Sequence, residues 1–136
     1  MSVSTTLGNG IGSEQFGATV HTAPATWHIA LFTASPGVAG SAANEVSGGS
    51  YARVAVTNNA TNFPATAALA GANGTAIAFP APTADWGTIT YFGLCASTNE
   101  GTDDVRHFGA LTSPVSIVSG GGAPTFAIGA MIWSLT

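Results

Sequence analysis

The side chains here that could do chemistry are few, and their spacing argues against most of what they might do. The histidines His21, His28 and His107 and the single Cys95 are the candidate zinc ligands. None stands at the close ligand spacing of zinc motifs, so no metal site is expected. His28 sits in an alternating apolar run and reads as a partly buried structural histidine. Cys95 closes the run Tyr91-Phe92-Gly93-Leu94-Cys95 and reads as a small buried hydrophobe. A Cys95–His107 nucleophilic pair is the sharper alternative, but no third group orients it. The acidic segment Asn99-Glu100-Gly101-Thr102-Asp103-Asp104 offers clustered oxygens to Ca²⁺. It lacks the alternate-position carboxylates of an EF-hand and reads instead as a solvated hairpin tip. Paired carboxylates for a depolymerase reduce to Asp85, Glu100, Asp103 and Asp104. Gly120-Gly121-Gly122 is no phosphate loop, because no lysine follows and Pro124 blocks a helix start. No catalytic residue, cofactor or metal is expected, and the chain does not read as an enzyme.

Other residues invite a structural or interface reading. Arg53 lies in a strand between Ala52 and Val54, where an isolated charge needs a partner. Glu45 or Asp85 would supply one, fixing sheet register or a subunit contact; the alternative is an edge arginine facing water. Trp86 starts a strand and packs over the end of the fold, or else serves as a sugar-stacking platform. Tyr51, Arg53, Trp86 and Trp133 are the candidate interface residues.

The elements that must position these residues are strands. Eighteen glycines and seven prolines leave few windows for a long helix. In Trp27 to Thr33, Trp27, Ile29 and Leu31 oppose His28, Ala30 and Phe32. Gly48-Gly49 precedes a second strand, where Ala52, Val54 and Val56 oppose Tyr51, Arg53 and Ala55. Asn58, Asn59, Asn62 and Pro64 mark a loop, and the alanine-rich 65–72 stretch is a turn of helix or a plain loop. Further strands are expected at 75–79, 88–95, 106–111, 115–118 and 125–135. The last is apolar on both faces, as a covered central strand would be. The resulting expectation is an all-β chain, a β-sandwich over residues 22–136, either a jelly roll or a simpler sandwich. Residues 1–21, rich in glycine and without period, are expected to form an N-terminal arm that orders in an assembly.

Charge sets the broader class. There is no lysine, and the charged residues are two arginines and six carboxylates, for a net charge of −4. By mass scaling such a chain exposes roughly 6,500 Å². Eight charges over that area leave patches of about 800 Å² with none, one partner's share of an ordinary interface. The surface is therefore expected to be covered by copies of the chain or by a larger assembly. A pI near 4.9 excludes the basic footprint of a nucleic-acid binder. Apolar runs are broken well short of a spanning helix, and the opening residues lack a secretory signal's charged and apolar regions. No membrane partner and no signal-directed export are expected.

Five ordered blocks then carry a resemblance: WHIALFTASPG (27–37), EVSGGSYARVAV (45–56), NNATNFP (58–64), TADWGTITYFGL (83–94) and HFGALTSP (107–114). Over residues 22–135 the chain resembles small tailed-bacteriophage structural proteins labelled tail fibre, minor tail or head decoration proteins. The segment Gly49 to Arg53 is the most specific part. Family members often open with a more regular amphipathic helix, whereas Gly8, Gly10, Gly12 and Gly17 interrupt this chain's start. The resemblance implies a non-enzymatic β-sandwich virion component, assembled in the bacterial host cytoplasm. The leading expectation is a capsid decoration or cement protein, a homo-oligomer with a trimer first, bound to the major capsid protein. The alternative is a tail- or head-fibre module that attaches to the host surface.

Overall fold

The computed structural model of the chain describes residues 1–134. In chain order these form β1 (Ser2–Val3), α1 (Thr5–Gly17), β2 (Thr26–Phe32), β3 (Val54–Thr57), β4 (Ala70–Ala72), β5 (Ile77–Ala78), β6 (Gly87–Cys95), β7 (Val105–Ile117), β8 (Thr125–Phe126) and β9 (Ile132–Ser134). The all-β expectation holds. One antiparallel sheet runs β1-β7-β6-β2-β3, and two short ladders, β4-β9 and β5-β8, lie apart from it. The second layer is thus two ladders and their loops, without the four-stranded second sheet of a jelly roll among the described residues.

Period-2 alternation in β2 assigns its faces. Trp27, Ile29 and Leu31 join Phe92 and Leu94 of β6 and Ile77, Phe79 and Met131 of the ladder layer in the main core. Ala30 and Phe32 join Cys95, Val105 and Phe108 in a smaller core on the opposite face. The segment after β2 crosses this second face. Val46 N donates to Leu31 O at 3.0 Å, Thr33 N to Asn44 O at 3.0 Å, and Thr5 N to Val38 O at 2.7 Å.

Besides β4, a strand where the 65–72 stretch was expected to be a turn of helix or a loop, three expectations need correction. Residues 1–21 hold a strand and a helix where an irregular arm was expected. β1 pairs with β7 through Ser2↔Phe108 and Val3↔His107. Ser4 caps α1, its Oγ accepting from Leu7 N at 3.4 Å, and Leu7 is the buried residue of the helix. Tertiary anchoring at the first turn outweighs glycine propensity costs of about 1 kcal/mol each. Second, the strands expected at 106–111 and 115–118 are one strand, β7, with a bulge. Its register against β6 jumps from Tyr91↔Ala110 to Ile89↔Val115, and Pro114, which has no N–H to donate, falls in the extra residues.

Third, the strand expected at 125–135 breaks into β8 and β9, and Leu135 lies outside the described residues. The cause is Asn73, 2% exposed. Its Nδ2 donates to Ala127 O at 2.9 Å and its Oδ1 accepts from Met131 N at 2.8 Å. Its backbone pairs with the same turn, Gly129 N donating to Asn73 O at 2.9 Å. The turn leaves Ile128 and Ile132 exposed, at 70% and 64%, rather than covered on both faces.

Candidate functional site

The densest polar constellation surrounds Arg53, 5% exposed. All five guanidinium N–H groups have acceptors. Nε and Nη2 donate to Glu45 Oε1 and Oε2 at 2.7 and 2.8 Å. Nη1 donates to Asp104 Oδ1 at 2.8 Å and Ser97 O at 3.0 Å, and Nη2 also to Thr102 O at 3.1 Å. The carboxylates are equally engaged. Glu45 accepts from the Tyr51 hydroxyl at 3.0 Å and from Gly101 N at 2.8 Å, and Asp104 accepts from Ser97 N at 2.6 Å. Burial opposes the charged guanidinium, but its bonds to Glu45 and Asp104 outweigh that and hold its pKa above the usual value. Burial, then the Glu45 charge, drives the Tyr51 phenol far above its ordinary range.

This knot is structural. It staples the β6–β7 loop to the strand edge and leaves no open coordination position. The Asn99–Asp104 segment joins antiparallel β6 and β7 with residues 99–103 exposed, as expected of a solvated hairpin tip, but it is anchored: Asp104 pairs with Arg53 and Asp103 Oδ1 accepts from Ala42 N at 2.6 Å. Among the described residues no group of three His, Cys, Asp or Glu side chains converges as metal ligands would. Of the two partners expected for Arg53, Glu45 is the one found; Asp85 accepts from Ser119 N at 2.7 Å. Asp104 was missed, being 51 residues away in sequence.

The sheet also separates Cys95 from His107. Leu94 pairs with His107 and Cys95 with Val105, so Cys95 belongs to the smaller core while His107 meets Trp27 edge-on at 5.5 Å on the other face. Burial pushes the Cys95 thiol up to about 12, against the pull of Arg53. Cys95 and His107 therefore do not form a nucleophilic pair.

Of the interface candidates, Tyr51, Arg53 and Trp86 line the interior, each 5% exposed. Trp86 donates its indole N–H to Gly49 O at 2.9 Å and meets the Tyr51 ring edge-on at 5.3 Å. Its packing reading holds, and a sugar platform there is excluded by burial. Trp133 alone among the four is partly open.

Two concave surfaces stand out among the described residues. The first is an apolar groove of about 400 Å³ between the sheet and the β5-β8 ladder, lined by residues including Phe79, Phe92, Val115, Phe126 and Ile132. The β7 bulge and the Asn73-held turn open its mouth, where Val115 and Ile132 are 49% and 64% exposed. None of its lining side chains is charged. The second, about 310 Å³, lies where the 58–66 loop, β9 and the Trp27 face of the sheet meet. Its walls include Trp27, Phe63 and Trp133, with Asn58, Thr66 and His107 as polar groups. Burial lowers the His107 pKa to about 4, and the Met1 ammonium adds to the effect, so its imidazole is neutral near pH 7. Neither surface was legible in the sequence, because each joins loops distant along the chain.

The family model described as Podophage GP4 fiber I protein gp80 matches residues 2–134. No curated protein matches the chain.

Proposed function

The chain belongs to the family of podophage GP4 fiber I protein gp80 and is a virion structural protein, and from that premise we propose that it is a fibre module assembled through copies of itself. The fibre description of the family favours this over capsid decoration. The observation that supports self-assembly is the uncharged groove with Val115 and Ile132 at its mouth. Val118 and Ile128, 53% and 70% exposed, are further apolar residues at the surface. Eight charged side chains serve an accessible surface of 6886 Å², and interface cores are depleted of charge. Covering the groove with a second copy removes this apolar surface from water at about 25 cal/mol per Å², from which association entropy subtracts.

In this reading the molecule is a homo-oligomer, a trimer first to be tested. It performs no catalysis and is assembled in the host cytoplasm. The Arg53 knot makes each protomer rigid enough to act as a building block. The fibre would engage the host surface, and neither nucleic acid nor membrane is a partner. The test is electron microscopy of intact virions labelled with gold-conjugated antibody to this chain. Label confined to fibres is the expected outcome. Label spread evenly over the head would replace the fibre reading with decoration, in which the major capsid protein is the partner.

A further inference from the structure

We propose that the pocket between the 58–66 loop and β9 is a binding site for a neutral saccharide. Its walls combine what a pyranose ring needs. The Trp133 and Phe63 rings stand 5.9 Å apart at 53° to one another, while Trp27, a core residue 7% exposed, adds only a small part of the lining. These flat apolar faces suit the C–H face of a sugar.

Hydrogen-bonding groups sit among them. Asn58 directs Nδ2 to Pro24 O at 2.9 Å, which leaves its carbonyl oxygen. The Thr66 hydroxyl, the His107 imidazole and the Trp133 indole N–H make no side-chain hydrogen bond among the described residues. A neutral imidazole both donates and accepts, as sugar hydroxyls require. No Asp, Glu, Lys or Arg side chain lines the pocket; the Met1 ammonium near His107 is the one charge beside it, and the charged control below reads its effect. The other groove has no tryptophan, histidine or asparagine in its lining.

The pocket is also built in advance. Asn59 Oδ1 accepts from Thr61 N and Asn62 N at 3.0 and 2.9 Å. Asn62 Nδ2 donates to Thr57 O at 2.9 Å, and Asn62 Oδ1 accepts from Thr75 Oγ1 at 2.8 Å. The wall-forming loop is therefore ordered without a ligand, which lowers the entropic cost of binding. Across the pocket, the Trp133 indole lies flat over Gly71, its cross-strand partner in the β4-β9 ladder. A Cβ at Gly71 would come within 2.6 Å of Trp133 Nε1. Gly71 is thus a positioning residue for the stacking wall.

The inference goes beyond the fibre reading, and each can fail without the other: saccharide binding is read on the purified chain, location on the virion. The chain has three tryptophans, so a ¹⁵N-labelled sample gives a short set of indole N–H signals. The probes are the methyl glycosides of glucose, galactose, N-acetylglucosamine and rhamnose, with N-acetylneuraminic acid as the charged control. At least one neutral glycoside is expected to shift the Trp133 and Trp27 indole signals saturably in the millimolar range, while the buried Trp86 signal stays put. Trp133→Ala should weaken that binding about tenfold or more, Trp133→Phe less. Gly71→Ala should weaken it with the Trp86 signal and the thermal midpoint nearly unchanged, which separates a displaced indole from a damaged fold. No saturable shift with any neutral probe overturns the site. Binding unaffected by both Trp133→Ala and Gly71→Ala overturns it as well. Equal or tighter binding of N-acetylneuraminic acid overturns the neutral class.

Discussion

Replacing Arg53 by methionine should cost about 3–5 kcal/mol of folding stability, the usual penalty for removing one partner of a buried ion pair. The structure gives the reason. Methionine approximates the side-chain length but removes all five N–H donors, leaving Glu45 and Asp104 facing one another without a cation. Glu45 keeps two bonds, from Tyr51 and Gly101, and Asp104 keeps one, from Ser97. Those bonds partly solvate the stranded carboxylates but do not neutralise them. At roughly 3 °C per kcal/mol for a chain of this size, the thermal midpoint should fall by about 10–15 °C. Urea denaturation followed by tryptophan fluorescence gives the free energy directly, because Trp86 packs on Tyr51 beside the knot. The decisive comparison is the triple variant Arg53→Met, Glu45→Gln, Asp104→Asn. Removing the charges together should recover at least about 1 kcal/mol relative to Arg53→Met alone. A loss below about 1 kcal/mol for Arg53→Met, or losses that simply add, would refute the knot as a coupled unit.

Three further outcomes follow from named contacts. Asn73→Ala removes a buried side chain that makes three bonds to the 75, 127 and 131 backbone; it should cost about 2–3 kcal/mol and speed hydrogen exchange at Gly129 and Met131, and unchanged exchange would contradict its role in breaking the last strand. Folding holds His107 neutral, with its pKa lowered from 6.5 to about 4, so the unfolded chain binds the proton first as pH falls. That contribution to stability is complete above pH 6.5 and should decline by about 2 kcal/mol at most between pH 6.5 and 5; His107→Gln should flatten the slope in that window, and an identical slope would sink the assignment. Gly8 and Gly12 have open space where a Cβ would stand, so Gly8→Ala and Gly12→Ala should each stabilise α1 by about 0.5–1 kcal/mol, read as raised helical ellipticity and slowed amide exchange in α1; no change would mean the helix is set by its cap alone.

Much of the sheet was legible in the sequence because its residues obey a local rule. In β2, alternation assigned Trp27, Ile29 and Leu31 to one face and Ala30 and Phe32 to the other, and the cores divide that way. Glu45 is one of the two partners the sequence offers Arg53, beside the alternative of an edge arginine facing water, and Arg53 itself lies just before β3 rather than within it. What escaped depends on distant partners. α1 forms through glycines because β1 pairs with β7 and Ser4 N donates to Arg106 O at 2.8 Å. The alternation of Phe126, Ile128, Ala130 and Ile132 was real but misleading, since Asn73, 58 residues before Met131, takes over that backbone. The same limit hid the saccharide pocket, whose Trp27 and Trp133 come from opposite ends of the chain.

Whether the chain is a fibre module built from copies of itself is decided by its abundance relative to the major capsid protein in purified virions. Quantitative mass spectrometry of the two proteins supplies that ratio. A ratio of a few per cent, in a multiple set by the fibre's oligomeric order, is the predicted result. A ratio near one, or near one third, would place the chain over the icosahedral shell and contradict the fibre reading.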